Sequence, residues 1–225
     1  MAPIAAVVFD AYGTLLDVHS AMARHAARLG PDWQLLSGEW RAKQLEYTWV
    51  RTLAGAAHHR DFARLTDEAL AFVAERHGIA DAALLADLSA AYRQLEAYPE
   101  VPGVLQELRA GGRATAILSN GEPHMLSEGV AAAGLTALLD DVLSVESVGV
   151  FKPDPRVYRL ATDRFAVPPS RIAFVSSNAW DAFGALGFGF RVAWINRAGQ
   201  PDEYGLRGRA SELHDLSALP ALLAA

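Results

Sequence analysis

Residues 4–14 read Ile4-Ala5-Ala6-Val7-Val8-Phe9-Asp10-Ala11-Tyr12-Gly13-Thr14. Six apolar residues run without a break and stop at an aspartate. A strand with one wet face alternates apolar and polar side chains. An unbroken apolar strand suits a parallel sheet covered on both faces. Gly13 supplies a turn just beyond it. The stretch therefore predicts a buried strand with a carboxylate at its carboxyl end, the edge where open α/β sheets bind ligands.

Outward from this strand the chain changes character twice. After Pro99 and Pro102 it alternates: helix 104–110, strand 114–118, helix 123–133, strand 142–145, helix 155–165, strand 172–175, helix 180–186 and strand 192–195. Such alternation predicts an open parallel sheet with flanking helices. A last helix, 216–223, is expected to pack on the sheet. Between the first strand and this region, residues are rich in Ala, Leu, Arg and Glu and fit helical spacing over 20–29, 35–54, 62–77 and 82–96. In the second helix, Trp40, Gln44, Tyr47 and Arg51 would share one stripe, and Leu36, Lys43 and Val50 another. The expected fold class is therefore α/β: a Rossmann-like parallel-sheet core over residues 1–16 and 98–225, with an inserted helical-bundle cap over 17–97. Asp32 and Gly78 read as ordinary turns, and no sequence repeat or low-complexity tract is present.

Composition narrows the function. The chain has 225 residues, a formal net charge of -6 and no basic run. Nucleic acid and anionic membranes are thus unexpected partners, although a local positive pocket is compatible with that balance. The absence of cysteine excludes disulfides, thiol catalysis and thiolate-ligated metals. The apolar run at the N-terminus is too short to span a bilayer and lacks a signal-peptide pattern, so a cytoplasmic protein is the expectation.

Four predicted strand ends carry polar residues: Asp10 to Thr14; Ser119-Asn120-Gly121; Lys152-Pro153, after the strand near Val145; and Ser176-Ser177-Asn178-Ala179-Trp180-Asp181. Each has an ordinary reading as a turn or cap. All four falling on one sheet edge favours a catalytic site.

This combination resembles the haloacid dehalogenase superfamily and, within it, the L-2-haloacid dehalogenases. The resemblance spans essentially the whole chain. The segment 174–181 and the cap segment Trp40-Arg41, followed by 43–49, resemble the dehalogenase branch in particular. Most relatives in the superfamily are magnesium-dependent phosphatases with a second Asp two residues after the nucleophile. Here that position is Tyr12, which cannot shuttle a proton near neutral pH without a large pKa shift. A further metal-binding carboxylate is replaced by Ser177. Magnesium prefers hard anionic oxygens, so neither a metal nor another cofactor is expected, and Lys152 would supply the positive charge.

The resemblance implies metal-independent hydrolysis of a short 2-haloacid. Asp10 attacks carbon opposite the halogen, halide leaves unprotonated, and an Asp10 ester forms. Lys152, Thr14 and nearby backbone groups are candidates to hold Asp10 ionised. By family position, Asp181 would activate water for ester hydrolysis, Ser176 and Asn178 would orient groups, and Tyr158 would support the lysine. Ser119 and the backbone at Ala11 and Tyr12 would receive the substrate carboxylate, with help from nearby helix N-termini. Arg41, with Asn120, would sit beside the departing halide, where a permanent cation matches the growing charge. Tyr12, Leu45 and Trp180 would wall the apolar part of the pocket. Ala42 stands where a relative carries a longer polar side chain, which bears on pocket size and substrate range. A homodimer is also implied.

Ordinary readings accompany several of these. Arg41 alone would be a solvated or salt-bridged cap residue, and Tyr12, Leu45, Trp180 and Tyr158 could be simple packing. His58-His59 reads as a solvated cap turn, since adjacent helical residues do not share a face. Trp33, Trp40 and Trp49 read as cap core. Gly184, Gly187 and Gly189 do not form a dinucleotide fingerprint. Two other functions are compatible with the sequence: a magnesium-dependent phosphatase of the same fold, which Tyr12 and Ser177 oppose, and a non-catalytic binding protein, which intact Asp10, Lys152 and Asp181 oppose.

Overall fold

A computed structural model describes residues 3–224. The opening stretch forms β1 (Ala6–Phe9), whose four residues are fully buried. It pairs in parallel with β4 (Ala114–Ser119) on one side and β6 (Ile172–Ser176) on the other. β5 (Asp141–Ser144) lies outside β4; β7 (Arg191–Ile195) and β8 (Ser211–Leu213) continue beyond β6. The order β5-β4-β1-β6-β7-β8 reverses direction at β1. A crevice opens at such a switch point, outside the carboxyl ends of the strands. Register aligns those ends: Phe9 faces Ile117 and Val175.

Helices α6 (Val101–Ala110), α7 (Pro123–Ala132), α8 (Pro155–Phe165), α9 (Ala179–Phe188) and α10 (Leu219–Ala224) complete this part of the chain. Their starts are written locally. The Asp154 side chain accepts from Arg156 N at 2.9 Å, with Pro155 opening α8.

The expected inserted helices are α1 (Ser20–Ala23), α2 (Ala26–Leu29), α3 (Trp33–Ala54), α4 (Phe62–Arg76) and α5 (Ala82–Tyr92). Asp61 and Asp81 cap α4 and α5 through the amides of Arg64 and Leu84. The chain leaves and re-enters through a two-stranded antiparallel ribbon, β2 (Leu16–Asp17) against β3 (Glu96–Ala97). One continuous apolar core joins the helices to the sheet.

Several local expectations need correction. Segment 20–29 is two short helices. The helix expected to run to residue 96 ends at Tyr92, because Glu96 and Ala97 pair with the outgoing strand. On α3 the stripe through Trp40 and Gln44 faces inward with Tyr47 and Arg51 half-buried, but Leu36 joins it, with Thr48, instead of a stripe with Lys43 and Val50, and Val50 is 56 % exposed. A polar network explains why Gln44 faces inward. It accepts from the Tyr92 hydroxyl at 3.0 Å and donates to Thr66 Oγ1 at 3.1 Å. Trp49 is only half-buried and leaves the cap to meet Trp180 edge-on at 5.4 Å. His59 is no solvated turn residue: its Nε2 lies 2.9 Å from Glu146 and its ring 5.0 Å from Phe151. β8 had no apolar run to announce it, since two of its three residues are exposed.

Candidate active site

Asp10 follows β1 directly and is 5 % exposed. Lys152 Nζ donates to Asp10 Oδ1 at 3.0 Å and to Asp181 Oδ2 at 2.8 Å. Thr14 Oγ1 donates to Asp10 Oδ2 at 3.1 Å, and Asn178 Nδ2 donates to the same oxygen at 2.8 Å. Both carboxylate oxygens are therefore held, and charge-assisted bonds fix the plane of the group.

Gly13 makes the loop after β1 possible. Its φ of +88° is open to glycine at little cost. Ser177 N donates to Thr14 Oγ1 at 2.9 Å, which ties this loop to the end of β6. Asn178 stands at the N-cap of α9, yet makes no side-chain cap bond. Its amide is turned instead to Asp10 and, at 3.2 Å, to the Tyr12 carbonyl. A residue type normally favoured for helix capping thus serves the carboxylate.

Burial disfavours the charged form of Lys152, but Asp10 and Asp181 outweigh it and raise its pKa. Lys152 is therefore an ammonium. Two buried carboxylates share this one ammonium. Burial, with the Asp10 charge adding to it against Lys152, pushes Asp181 up to about 6. Tyr158 OH donates to Asp181 Oδ1 at 2.7 Å. Burial first, then the Asp181 charge, holds this phenol well above its ordinary pKa, so it stays a donor. Tyr158, expected beside the lysine, bonds Asp181 instead and reaches Lys152 only through that carboxylate. Gly184 allows the approach: a Cβ there would lie 2.5 Å from the Tyr158 hydroxyl.

The remaining expected residues divide. Arg41, on α3, donates from Nη2 to the Tyr12 carbonyl at 3.2 Å, while its Nη1 is buried without a hydrogen-bond partner. Tyr12 packs between Phe62 at 5.3 Å and Tyr92 at 5.8 Å. Burial holds its phenol far above the ordinary range, which removes it as a proton shuttle. Asn120 Oδ1 accepts from Lys152 N at 2.9 Å, so its carbonyl end holds the backbone of the lysine. Ser119 is fully buried and accepts from Gly121 N at 3.1 Å. Ser176 Oγ accepts from Asn178 N at 3.2 Å and shapes the turn, without a hydrogen bond to Asp10. The Ala11 carbonyl accepts from Leu15 N and Leu16 N, each at 3.0 Å. Leu45 is half-buried and Ala42 exposed. Trp180 is half-buried and lines a cavity of about 330 Å³ with Arg41, Gly13, Ser177 and Asn178.

Sequence reasoning missed Arg197 and Tyr92. Arg197 lies in the same cavity, just beyond β7, a strand end with no motif around it. Tyr92 would have been found by treating Gln44 as buried, since a buried amide requires partners. As to metal binding, no group of three or more His, Asp or Glu side chains gathers as a ligand set among the described residues.

A family model for haloacid dehalogenase-like hydrolases matches residues 4–189. The chain is 49 % identical to (S)-2-haloacid dehalogenase 1 of Pseudomonas sp. strain CBS-3, over 99 % of this chain and 98 % of that protein. A crystal structure of a dehalogenase with an intermediate complex superposes with a TM-score of 0.96 at 44 % identity, covering all of both chains. L-2-haloacid dehalogenase from Xanthobacter autotrophicus, solved with chloropropionic acid covalently bound, gives a TM-score of 0.90 at 37 % identity over 98 % of each chain. A buried aspartate at the switch-point strand and likeness over the full length lead to one conclusion: this chain belongs to the haloacid dehalogenase-like hydrolases, on the branch of the (S)-2-haloacid dehalogenases.

Proposed function

We propose that the protein is an (S)-2-haloacid dehalogenase that converts short 2-haloacids to 2-hydroxy acids and halide through an Asp10 ester. The observation that carries this is the Asp10 carboxylate, bound at both oxygens beside the Lys152 ammonium, with the neutral Tyr12 where a phosphatase needs an acid. The bound chloropropionic acid of the Xanthobacter enzyme supports a covalent route.

An Asp10 oxygen attacks the carbon bearing the halogen. The carbon–halogen bond breaks with its electron pair on the halide, which needs no proton. Arg41, whose Nη1 is buried without a partner, is the cation for that halide. Substrate carboxylate binds at Ser119 and the backbone of Ala11 and Tyr12, while Leu45 and Trp180 flank its apolar part. Asp181 then takes a proton from a water that attacks the Asp10 carbonyl carbon. The acyl–oxygen bond breaks, the departing alkoxide takes up that proton, and the water oxygen stays in Asp10. Substitution at carbon inverts the configuration once. Tyr158 and Lys152 hold Asp181, and Ser176 shapes the turn that presents Asn178.

In this reading residues 17–97 act as a cap over a core of 1–16 and 98–225. Action in the cytoplasm and assembly as a homodimer belong to the same proposal. The protein has no helix among the described residues long and apolar enough to cross a membrane, and α3 leaves Leu35, Val50 and Leu53 exposed.

Halide release from both enantiomers of 2-chloropropionate, with and without chelator, tests the activity. The (S) form should react, and chelator should change nothing. Turnover in ¹⁸O-labelled water should label Asp10. An Asp10 that stays unlabelled over many cycles excludes the ester route.

A further inference from the structure

Arg197 stands two residues beyond β7 on a turn closed by Asn196, whose Oδ1 accepts from Gln200 N at 2.8 Å and whose Nδ2 donates to Glu212 Oε1 at 2.7 Å. From that turn the guanidinium reaches three places. Nη2 donates to the Thr14 carbonyl at 3.0 Å. Nη1 pairs with Glu100 Oε1 at 2.7 Å. Its Cζ lies over the Tyr98 ring, 3.7 Å from the centre.

These contacts surround the place where the chain passes between sheet and helices. Thr14 precedes the outgoing strand β2; Tyr98 and Glu100 follow the returning strand β3. Tyr98 N also donates to the Leu15 carbonyl at 3.1 Å, which closes the ring of contacts. Thr14 is the residue whose hydroxyl meets Asp10 on one side and Ser177 N on the other. The pair Arg197–Glu100 is no surface bridge, since the two side chains are 20 % and 17 % exposed. A planar fork resting on a ring can hold two oxygens in different segments at once; a lysine ammonium cannot hold both and lie flat.

We propose that Arg197 is a positioning residue that clamps the cap hinge to the Thr14 carbonyl and so sets where the Thr14 hydroxyl meets the nucleophile. It acts through Thr14 and touches no reacting atom. The clamp stands on geometry alone; its kinetic consequence rests on the dehalogenation reading.

Two measurements on R197Q and R197K test it. Hydrogen exchange at the amides of residues 13–16 and 96–98 needs no turnover. It should speed up in R197Q, with R197K in between, while exchange in α8 is unchanged. Single-turnover ester formation with (S)-2-chloropropionate should slow about 10- to 100-fold in R197Q at saturating substrate, with KM changing less than about threefold, because a small misplacement of a reacting group costs rate more than binding. Partial recovery in R197K is expected. Unchanged exchange overturns the clamp whatever the activity. Faster exchange with wild-type ester formation overturns the positioning role, and so does a loss of rate that only follows loss of folded protein. Wild-type protein that releases no halide from any haloacid would defeat the functional reading instead, and the exchange result would still decide the clamp.

Discussion

The Asn178 side chain donates to Asp10 Oδ2 at 2.8 Å from a position that begins helix α9. Helix start and nucleophile are therefore separable. Asn178→Ala removes a charge-assisted bond to the carboxylate but no cap bond. Halide release should fall by at least about 10-fold, since such bonds to charged groups contribute about 1.5–3 kcal/mol. Stability should fall as well, by up to about 1.5–3 kcal/mol, through the lost bond to a buried carboxylate and not through a lost cap. Steady-state rates beside a denaturant melt check both, and a stable variant with full activity would remove Asn178 from the site.

Lys152→Met leaves Asp10 and Asp181 buried without their ammonium. Breaking a buried pair in this way costs about 3–5 kcal/mol at neutral pH. Asp181, already raised to about 6 by burial, loses the cation that lowers it and titrates higher still. Stability gained from protonating such groups is present at low pH and lost as pH rises through the folded-state pKa. The deficit relative to wild type should thus shrink on acidification from pH 8 to pH 5. Denaturant melts at the two pH values measure it, and a deficit that is constant or grows at pH 5 would contradict the shared ammonium.

Asp181, raised to about 6 mainly by burial, must be ionised to take a proton from water. Ester hydrolysis needs its base form, so the rate falls as pH drops. The Asp10 charge is one cause of the raised value. Forming the ester removes that charge, and Lys152 then serves Asp181 alone. Both changes favour the carboxylate, so Asp181 becomes a carboxylate more readily once the ester exists. The acid limb for hydrolysis of preformed ester should accordingly lie below pH 6. Quenched-flow measurement of that step across pH 4.5–8 reads the limb directly; a limb above 6 would contradict the argument.

Gly184→Ala places a Cβ 2.5 Å from the Tyr158 hydroxyl. The same Cβ would lie 2.6 Å from the Pro153 Cβ, so α9 shifts, or Tyr158 leaves Asp181 and Pro153 gives way. Overpacking of this kind costs about 1–3 kcal/mol. Because Tyr158 bonds Asp181 rather than Asp10, hydrolysis should slow more than ester formation. The ester should then accumulate and be visible by mass spectrometry of the intact protein during turnover. Equal slowing of both steps would place Tyr158 outside the hydrolytic half of the reaction.

Much of the fold is legible in order and chemistry along the chain. The unbroken run into Asp10 required a buried strand with a carboxylate at its end. The strand–helix rhythm after Pro99 required a parallel sheet, and parallel register brings such ends to one edge. Tyr12 and Ser177 speak against phosphatase chemistry once the family resemblance shows which positions carry carboxylates in the phosphatases. What only the tertiary structure decided is which polar atoms meet. Lys152 and Asp10 are separated by 142 positions, Asn178 and Asp10 by 168, and Arg197 and Thr14 by 183. Those meetings depend on strand register, helix phase and side-chain rotamer. Local propensity does not encode them, because an Asn before a helix has the same local preference whether it caps that helix or turns to a distant carboxylate.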